Sequence, residues 1–361
     1  MKALVTGANG LIGANLMRSL LRQGHQAVGL VRATSDVTHI AQLPVQLSLG
    51  DVRNIETLSE PMAGCDVVFH TAVPFSYWGH DQTDLHATAL EGTRNVMMAA
   101  REAGVRRVVV TSSTVTLGAG RDPVILDETS HAEPEDTAEA GYVATKIRQE
   151  ARAAEFAAEA GVQIVFALPT MSVGPFGSAL GPSNGVITSY LADPFRLSWP
   201  GGCNIVAVED IADGHVMLAE RGEAGARYVL GSQNLTWPEI HTLIAELSGV
   251  DPPRQIVGGL TCQGIAIAEE LRALVTGNAP LATRKQADMV GRHYWYSHAA
   301  AAQLGYSPRS AADALAGAIA WLAAGPHISR ETRINMRLDR KVHAARAARM
   351  TLEQAFESEA A

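Results

Sequence analysis

Short apolar runs alternate with segments of helical period from the first residues of the chain. Residues 3–5, 26–31, 45–49, 67–70, 107–111 and 163–168 are rich in Val, Ile and Leu. Unbroken apolar runs of this length suit strands covered on both faces. Between them, residues 12–23, 86–103 and 142–160 carry their apolar positions at helical spacing. The alternation predicts right-handed βαβ units and so an α/β fold, a doubly wound parallel sheet with helices on both faces. Ligands in such sheets bind beyond the carboxyl ends of the strands, so the residues just after each strand are the candidates for chemistry.

After Pro169 the rhythm changes. Residues 171–202 are rich in Gly, Pro and Ser, as expected of loops and short elements around a substrate. Residues 206–220 predict a strand and helix that return to the first domain, and 227–230 a further strand. Residues 234–247 predict a helix opened by Asn234 or Thr236 with Pro238 in its first turn. More helix follows over 300–324, interrupted near 305–308. The expected organisation is a dinucleotide-binding domain over 1–169, rejoined by 205–226, and a smaller substrate-binding lobe from 170–204 and 227–326. A charged helical tail occupies 327–361. Arg330, Arg333, Arg337, Arg340, Lys341, Arg346 and Arg349 spread through that tail, the pattern of a solvated or packing helix or of a subunit contact.

Composition narrows the class. Apolar residues make up 47% of the 361 and charged residues 18%, which favours a packed core over disorder. A net charge of −8 argues against a nucleic-acid or polybasic membrane partner. Cys65, Cys203 and Cys262 lie far apart and form no Cys-x-x-Cys pair, so neither a disulfide framework nor a metal site is expected. Cys65 reads as a packed small residue. Met1-Lys2 runs straight into the first strand, leaving no room for a signal peptide, and no apolar stretch is long enough to span a bilayer. A cytoplasmic location is expected.

The first strand runs directly into Thr6-Gly7-Ala8-Asn9-Gly10-Leu11-Ile12-Gly13, which opens a helix. Gly7 permits the tight turn, Gly10 lets backbone approach a pyrophosphate, and Gly13 lets the helix pack close to the sheet. The helix N-terminus offers the phosphates its unsatisfied N–H groups. At the end of the second strand, where an acidic side chain would hold the ribose hydroxyls of NAD, stands Arg32, suited to the extra phosphate of NADP. Asp36 follows a few residues too late for the NAD role. Asp51 and Val52, after the third strand, are placed for the adenine edge. Thr71, Ala72 and Val73, after the fourth, would run beneath the cofactor. NADP is the expected cofactor, with NAD the alternative.

Tyr142 and Lys146 lie four residues apart on one helical face. Reduction of a ketone needs a proton donor at the developing alkoxide, and a free phenol, with a pKa of about 10, is too weak an acid at neutral pH. A neighbouring ammonium favours the phenolate, and Lys146 could also bond the nicotinamide ribose. The fifth strand ends in a run of hydroxyls, Thr111-Ser112-Ser113-Thr114, aimed at the ligand crevice. A Ser there can orient the substrate oxygen toward Tyr142. Ser112 reads as the structural hydroxyl and Ser113 as the catalytic one.

The order Thr-Gly-x-x-Gly-x-x-Gly, Thr111-Ser112-Ser113, Tyr142-x-x-x-Lys146 resembles the extended short-chain dehydrogenase/reductase superfamily to about Ala324. Phe69-His70-Thr71-Ala72, the segment 91–96 and the segment 208–212 resemble its NAD-dependent epimerase/dehydratase branch, in the style of dihydroflavonol-reductase-like and hydroxysteroid-dehydrogenase-like proteins. The resemblance implies a Rossmann-type sheet with a smaller C-terminal substrate lobe and a catalytic Ser113, Tyr142 and Lys146. It also implies a cofactor held by Gly7, Gly10, Gly13 and Arg32, Pro169 near the nicotinamide with Met171 and Ser172 beyond it, and a homodimer through the helices over 91–103 and 142–160.

Two departures matter. An Asn frequent in the family is Ala89 here, and the stretch 202–206 lacks the Arg with which sugar-nucleotide epimerases grip a diphosphate. That counts against a nucleotide-sugar substrate. Phe75, Tyr77, Trp78 and His80 could form one wall of a cleft for an apolar or aromatic ketone, with Met171, Phe176 and the loop near Ser183-Asn184 as another and Thr114 as a further substrate contact. His70 reads as structural. The expected activity is NADP-dependent hydride transfer to or from a small, fairly apolar carbonyl or alcohol. Two alternatives compete with it: an epimerase or dehydratase that retains NAD, and a non-enzymatic dinucleotide sensor working through the basic tail.

Overall fold

The computed structural model describes residues 1–72, 82–132, 141–277, 280 and 282–360. Seven parallel strands form the main sheet: β1 (Lys2–Thr6), β2 (Gln26–Val31), β3 (Gln46–Leu49), β4 (Val67–His70), β5 (Arg107–Thr111), β6 (Gln163–Pro169) and β10 (Arg227–Leu230). Their spatial order is β10-β6-β5-β4-β1-β2-β3. The order reverses at β1, and the crevice beyond that switch point is where a doubly wound sheet takes its ligand. The side chains of β1 show the two-faced burial directly. Leu4 packs with Val68, Val96 and Ala153 on one face, while Ala3 and Val5 pack with Met17, Val109 and Ile211 on the other.

Helices α1 (Leu11–Arg22), α2 (Ser59–Met62), α3 (Gln82–Glu102) and α4 (Tyr142–Ala160) follow the first strands, and α3 and α4 pack side by side. Small residues make that contact close, with Ala99, Ala100, Ala153 and Ala157 all buried in it. On the opposite face α1 packs against α6 (Val208–Arg221).

The lobe holds β7 (Met171–Val173), α5 (Pro182–Ala192), β8 (Leu197–Ser198), β9 (Gly202–Ala207), β11 (Gln233–Thr236), α7 (Trp237–Ser248), β12 (Gln255–Ile256), α8 (Gly259–Thr276), α9 (Arg284–Ala287) and β13 (His293–Tyr294). A small sheet of β11, β9 and β13, with β7 beside β9, covers a third core that includes Ile187, Ile205, Ile240, Ile244 and Ile319. Helix α7 starts at Thr236, whose hydroxyl and backbone form a reciprocal capping box with Glu239. Asn234, the other candidate cap, instead accepts from the Tyr296 backbone N–H. The helical stretch expected over 300–324 is broken as foreseen into α10 (Ala299–Gln303) and α11 (Ala311–Ala324).

Two stretches fall differently from the expected division. Residues 227–230, assigned to the lobe, form β10 and pair with β6 in the main sheet, because Val229 and Leu230 are apolar enough to be wholly buried at its edge. Residues 205–207, assigned to the main domain, belong to β9 in the small sheet, and the return begins only with α6. The tail forms α12 (Arg330–Ile334) and α13 (Arg340–Ala360), and α13 lies along α11 with Val342 and Phe356 buried. Among the described residues no helix is long and apolar enough to cross a membrane.

Candidate active site

The glycine-rich turn is built by contacts that leave no room for side chains. Gly7 sits at φ +67°, and a Cβ there would lie 2.9 Å from Ala72 Cα. A Cβ on Gly13 would lie 2.2 Å from the Gly7 carbonyl oxygen. Thr71 donates its hydroxyl to Thr6 O at 2.7 Å, and Ala72 N–H donates to Thr6 Oγ1 at 3.3 Å, so the end of β4 is tied to the start of the turn. Helix α1 has Gly10 as its N-cap, with no side-chain cap and no acidic residue in the first turn. Its N-terminal N–H groups are thus left for an anion, and the turn formed with Asn9, Leu11 and Ile12 fits a dinucleotide pyrophosphate.

Arg32 stands exposed at the end of β2, its backbone N–H bonded to Ser35 Oγ. Asp36 is turned away into its own bend, where Thr38 donates to it from backbone and hydroxyl and holds its carboxyl below the usual range. Asp51 is bonded through both carboxylate oxygens to Arg53, which holds its pKa down, with Arg32 adding to the same effect from β2. Val52 is buried against Gly92, where its Cγ2 lies 2.7 Å from the place a Cβ would take. Arg53 escaped the sequence reading, since nothing in a loop position signals a bidentate pair two residues back.

At the end of β5 the hydroxyl run is divided among different tasks. Thr111 donates its side chain to His215 Nε2 at 2.8 Å, because the other ring nitrogen of His215 already donates to Ile211 O. Ser112 donates to Glu150, which also accepts from Thr116 at 2.9 Å and is ion-paired with Arg227 at 3.1 Å. Ser113 is hydrogen-bonded to Tyr142. Thr114 is buried and donates to Pro169 O at 3.2 Å, so it faces the protein and not a substrate.

Tyr142 opens α4 and Lys146 lies one turn on. Burial pushes the Tyr142 phenol up to about 12, opposed by the Ser113 hydrogen bond. Burial brings the Lys146 ammonium down to about 8, opposed by the charge of Glu150. Lys146 Nζ donates to Thr111 O and to Gln149 Oε1, both at 3.0 Å. Met171 and Ser172 continue from Pro169 as partly buried residues of β7.

The structure therefore brings Ser113, Tyr142 and Lys146 together at the strand ends beside the glycine-rich turn. Phe176 is not with them. It is 4% exposed at φ +70°, with the Arg18 guanidinium of α1 3.5 Å above its ring and Trp321 at 5.0 Å. Its aromatic surface is satisfied by that packing, so it forms no substrate wall. Val73, Phe75, Tyr77, Trp78 and His80 lie outside the described residues. Among the described residues no cluster of His, Cys, Asp or Glu could hold a metal ion.

Comparison with known proteins gives one family. Residues 3–231 match the NAD dependent epimerase/dehydratase family. The chain is 32% identical over 322 residues to the "Putative dihydroflavonol 4-reductase" of Synechocystis sp., covering 88% of this chain and 93% of that one. It is 35% identical over 257 residues to cinnamoyl-CoA reductase 1 of Oryza sativa subsp. japonica, covering 67% and 75%. The crystal structure of gox2253 is similar with a TM-score of 0.78 at 32% identity, covering 91% of this chain and 99% of that one.

Proposed function

This chain belongs to the NAD-dependent epimerase/dehydratase family as an NAD(P)-dependent oxidoreductase, and from that premise we propose that it is an NADP-dependent reductase or dehydrogenase of a small, fairly apolar carbonyl or alcohol. The observation that carries this reading is the hydrogen bond between Ser113 and Tyr142, one helical turn from a buried ammonium. A bound nicotinamide supplies or takes up the hydride.

The chain's own residues handle the proton. Ser113 holds the substrate oxygen beside the phenol. Tyr142 gives its proton to that oxygen as the carbonyl becomes an alcohol, and takes it back in the reverse direction. A phenol pushed up to about 12 is too weak an acid for this, so the site needs a positive charge near it. Lys146 is the cation at hand, with two of its three N–H groups engaged by Thr111 and Gln149 and one left for a ribose hydroxyl.

Arg32 supports NADP over NAD, since Asp36 is engaged by Thr38 and Asp51 by Arg53. Relatives named for a dihydroflavonol and for cinnamoyl-CoA support an aromatic carbonyl substrate. The test is Tyr142→Phe. It should lower kcat by about 100-fold or more, the share general acid catalysis supplies, while the dissociation constant for NADPH stays unchanged. Full turnover in that variant would remove the assignment.

A further inference from the structure

Behind Lys146 lies a line of side chains from four elements, and its hydrogens can be assigned one by one. Gln149 is wholly buried on α4. Its Oε1 accepts from Lys146 Nζ, and since an ammonium only donates, the amide orientation is determined. Its Nε2 therefore points to Thr93 Oγ1 on α3, at 3.1 Å. The Thr93 hydroxyl donates to Ala89 O at 2.6 Å, so toward any other neighbour Thr93 can only accept.

His70 Nε2, 3.1 Å from the same oxygen, must then carry the ring proton. His70 Nδ1 is left to accept from Thr6 Oγ1 at 3.0 Å, at the residue before Gly7. Thr93 and His70 are wholly buried, and burial brings His70 down to about 3, so it stays neutral as this pattern requires. The hydroxyl hydrogens and the ring hydrogen in the line are each committed, and the Thr93 hydroxyl ends on a main-chain carbonyl. Such an arrangement orients a group and passes no proton.

We propose that Gln149 is the positioning residue of this site, its amide braced by Thr93 and His70 so that its carbonyl oxygen holds the Lys146 ammonium charged and in register with Tyr142. The proposal rests on the reading in which Lys146 and Tyr142 act together. An ammonium in this position has few other sources of stabilisation. Thr111 offers one carbonyl from β5. Glu150, on the same helix, adds the attraction of its charge, with its oxygens shared among Ser112, Thr116 and Arg227. From β4 comes neutral His70, behind β5 lies His215, kept neutral by burial, and from α3 comes the uncharged Thr93. Tyr142, one turn back, is a neutral phenol below its raised pKa. Removing the Gln149 oxygen leaves the charged form less favoured, while a carboxylate there favours it more.

The experiment is a pH titration of the cofactor-free protein carrying 13C-labelled lysine. The chain has four lysines, Lys2, Lys146, Lys285 and Lys341, and the Lys146 signal is identified by its loss in Lys146→Met. In Gln149→Met the Lys146 midpoint should fall by about one unit, and in the isosteric Gln149→Glu it should rise by a similar amount. The alkaline limb of kcat/KM should move in the same directions. A Lys146 midpoint unchanged in Gln149→Met would reduce Gln149 to a packing residue. If that variant does not fold, an unmoved midpoint in Gln149→Glu would do the same. Turnover undiminished in Lys146→Met would instead overturn the catalytic reading, and the lysine titration would still decide the role of Gln149.

Discussion

Arg32 illustrates how much one residue can decide. Asp36 is turned into its own bend with Thr38 and Asp51 is paired with Arg53, which leaves Arg32 as the charged side chain exposed at the end of β2. A phosphate there gains a charge-assisted contact that a hydroxyl does not. Arg32→Ala should therefore cut the preference for NADPH over NADH by about tenfold or more, measured as the ratio of dissociation constants by nicotinamide fluorescence. An unchanged ratio would make Arg32 a surface arginine with no part in cofactor choice. At this scale the sequence was legible where a motif carries its own spacing, as in Tyr142-x-x-x-Lys146. It was silent where partners are far apart: Gln149 and Thr93 are separated by 56 positions, and nothing local marks a glutamine as the neighbour of an ammonium.

Among the elements, the glycine-rich turn and α1 show why spacing could be read so directly. Gly10 and Gly13 answer contacts with the Gly7 carbonyl and Gly7 a positive φ, so the pattern exists in one short stretch of chain, and only the approach of Gly7 to Ala72 is long-range. Gly13→Ala would drive a Cβ to within 2.2 Å of the Gly7 carbonyl oxygen, and the turn can relieve that only by moving apart from α1. Overpacking of this kind costs about 1–3 kcal/mol. The expected outcome is a lowered Tm together with loss of dinucleotide binding, whereas a variant that binds NADPH normally would show that the close approach is dispensable. Strand edges were harder. β10 and β9 are both short apolar runs, and only pairing partners distinguish a main-sheet strand from a lobe strand. Phe176 fell differently for a related reason, since an aromatic in a loop carries no sign that a distant guanidinium and Trp321 will cover it.

For the molecule as a whole, the tail is the least expected feature. Arg18 of α1 is 4% exposed in its side chain and bonds Glu353 of α13 through two nitrogens, at 2.7 and 2.6 Å. The same guanidinium donates to His39 O in the loop beyond Arg32 and lies over Phe176. The tail thus clasps the helix that carries the glycine-rich turn, and the basic residues that stood out in its sequence are not the ones that make this contact. Breaking a buried ion pair on one side costs about 3–5 kcal/mol. Because Glu353 is itself 30% exposed, Glu353→Ala should cost less, about 2 kcal/mol, seen in chemical denaturation and as earlier proteolysis within α13. Unaltered stability and protease resistance would show that apolar packing of Val342 and Phe356 alone holds the tail.

What the sequence determined by itself were the features whose physics is local: the alternation that makes a parallel sheet, the glycines of a tight turn, the i, i+4 pair on a helix, and the hydroxyls ending β5. Tertiary structure alone decided what engages the structural hydroxyl of Ser112, which strands share a sheet, and what holds the Lys146 charge. Each of those depends on a partner supplied by a distant part of the chain: Glu150 for Ser112, β6 for β10, and Gln149 braced by Thr93 and His70 for the ammonium. Periodicity and spacing encode what a residue's neighbours along the chain require. They do not encode which group will stand across from it once the chain has folded.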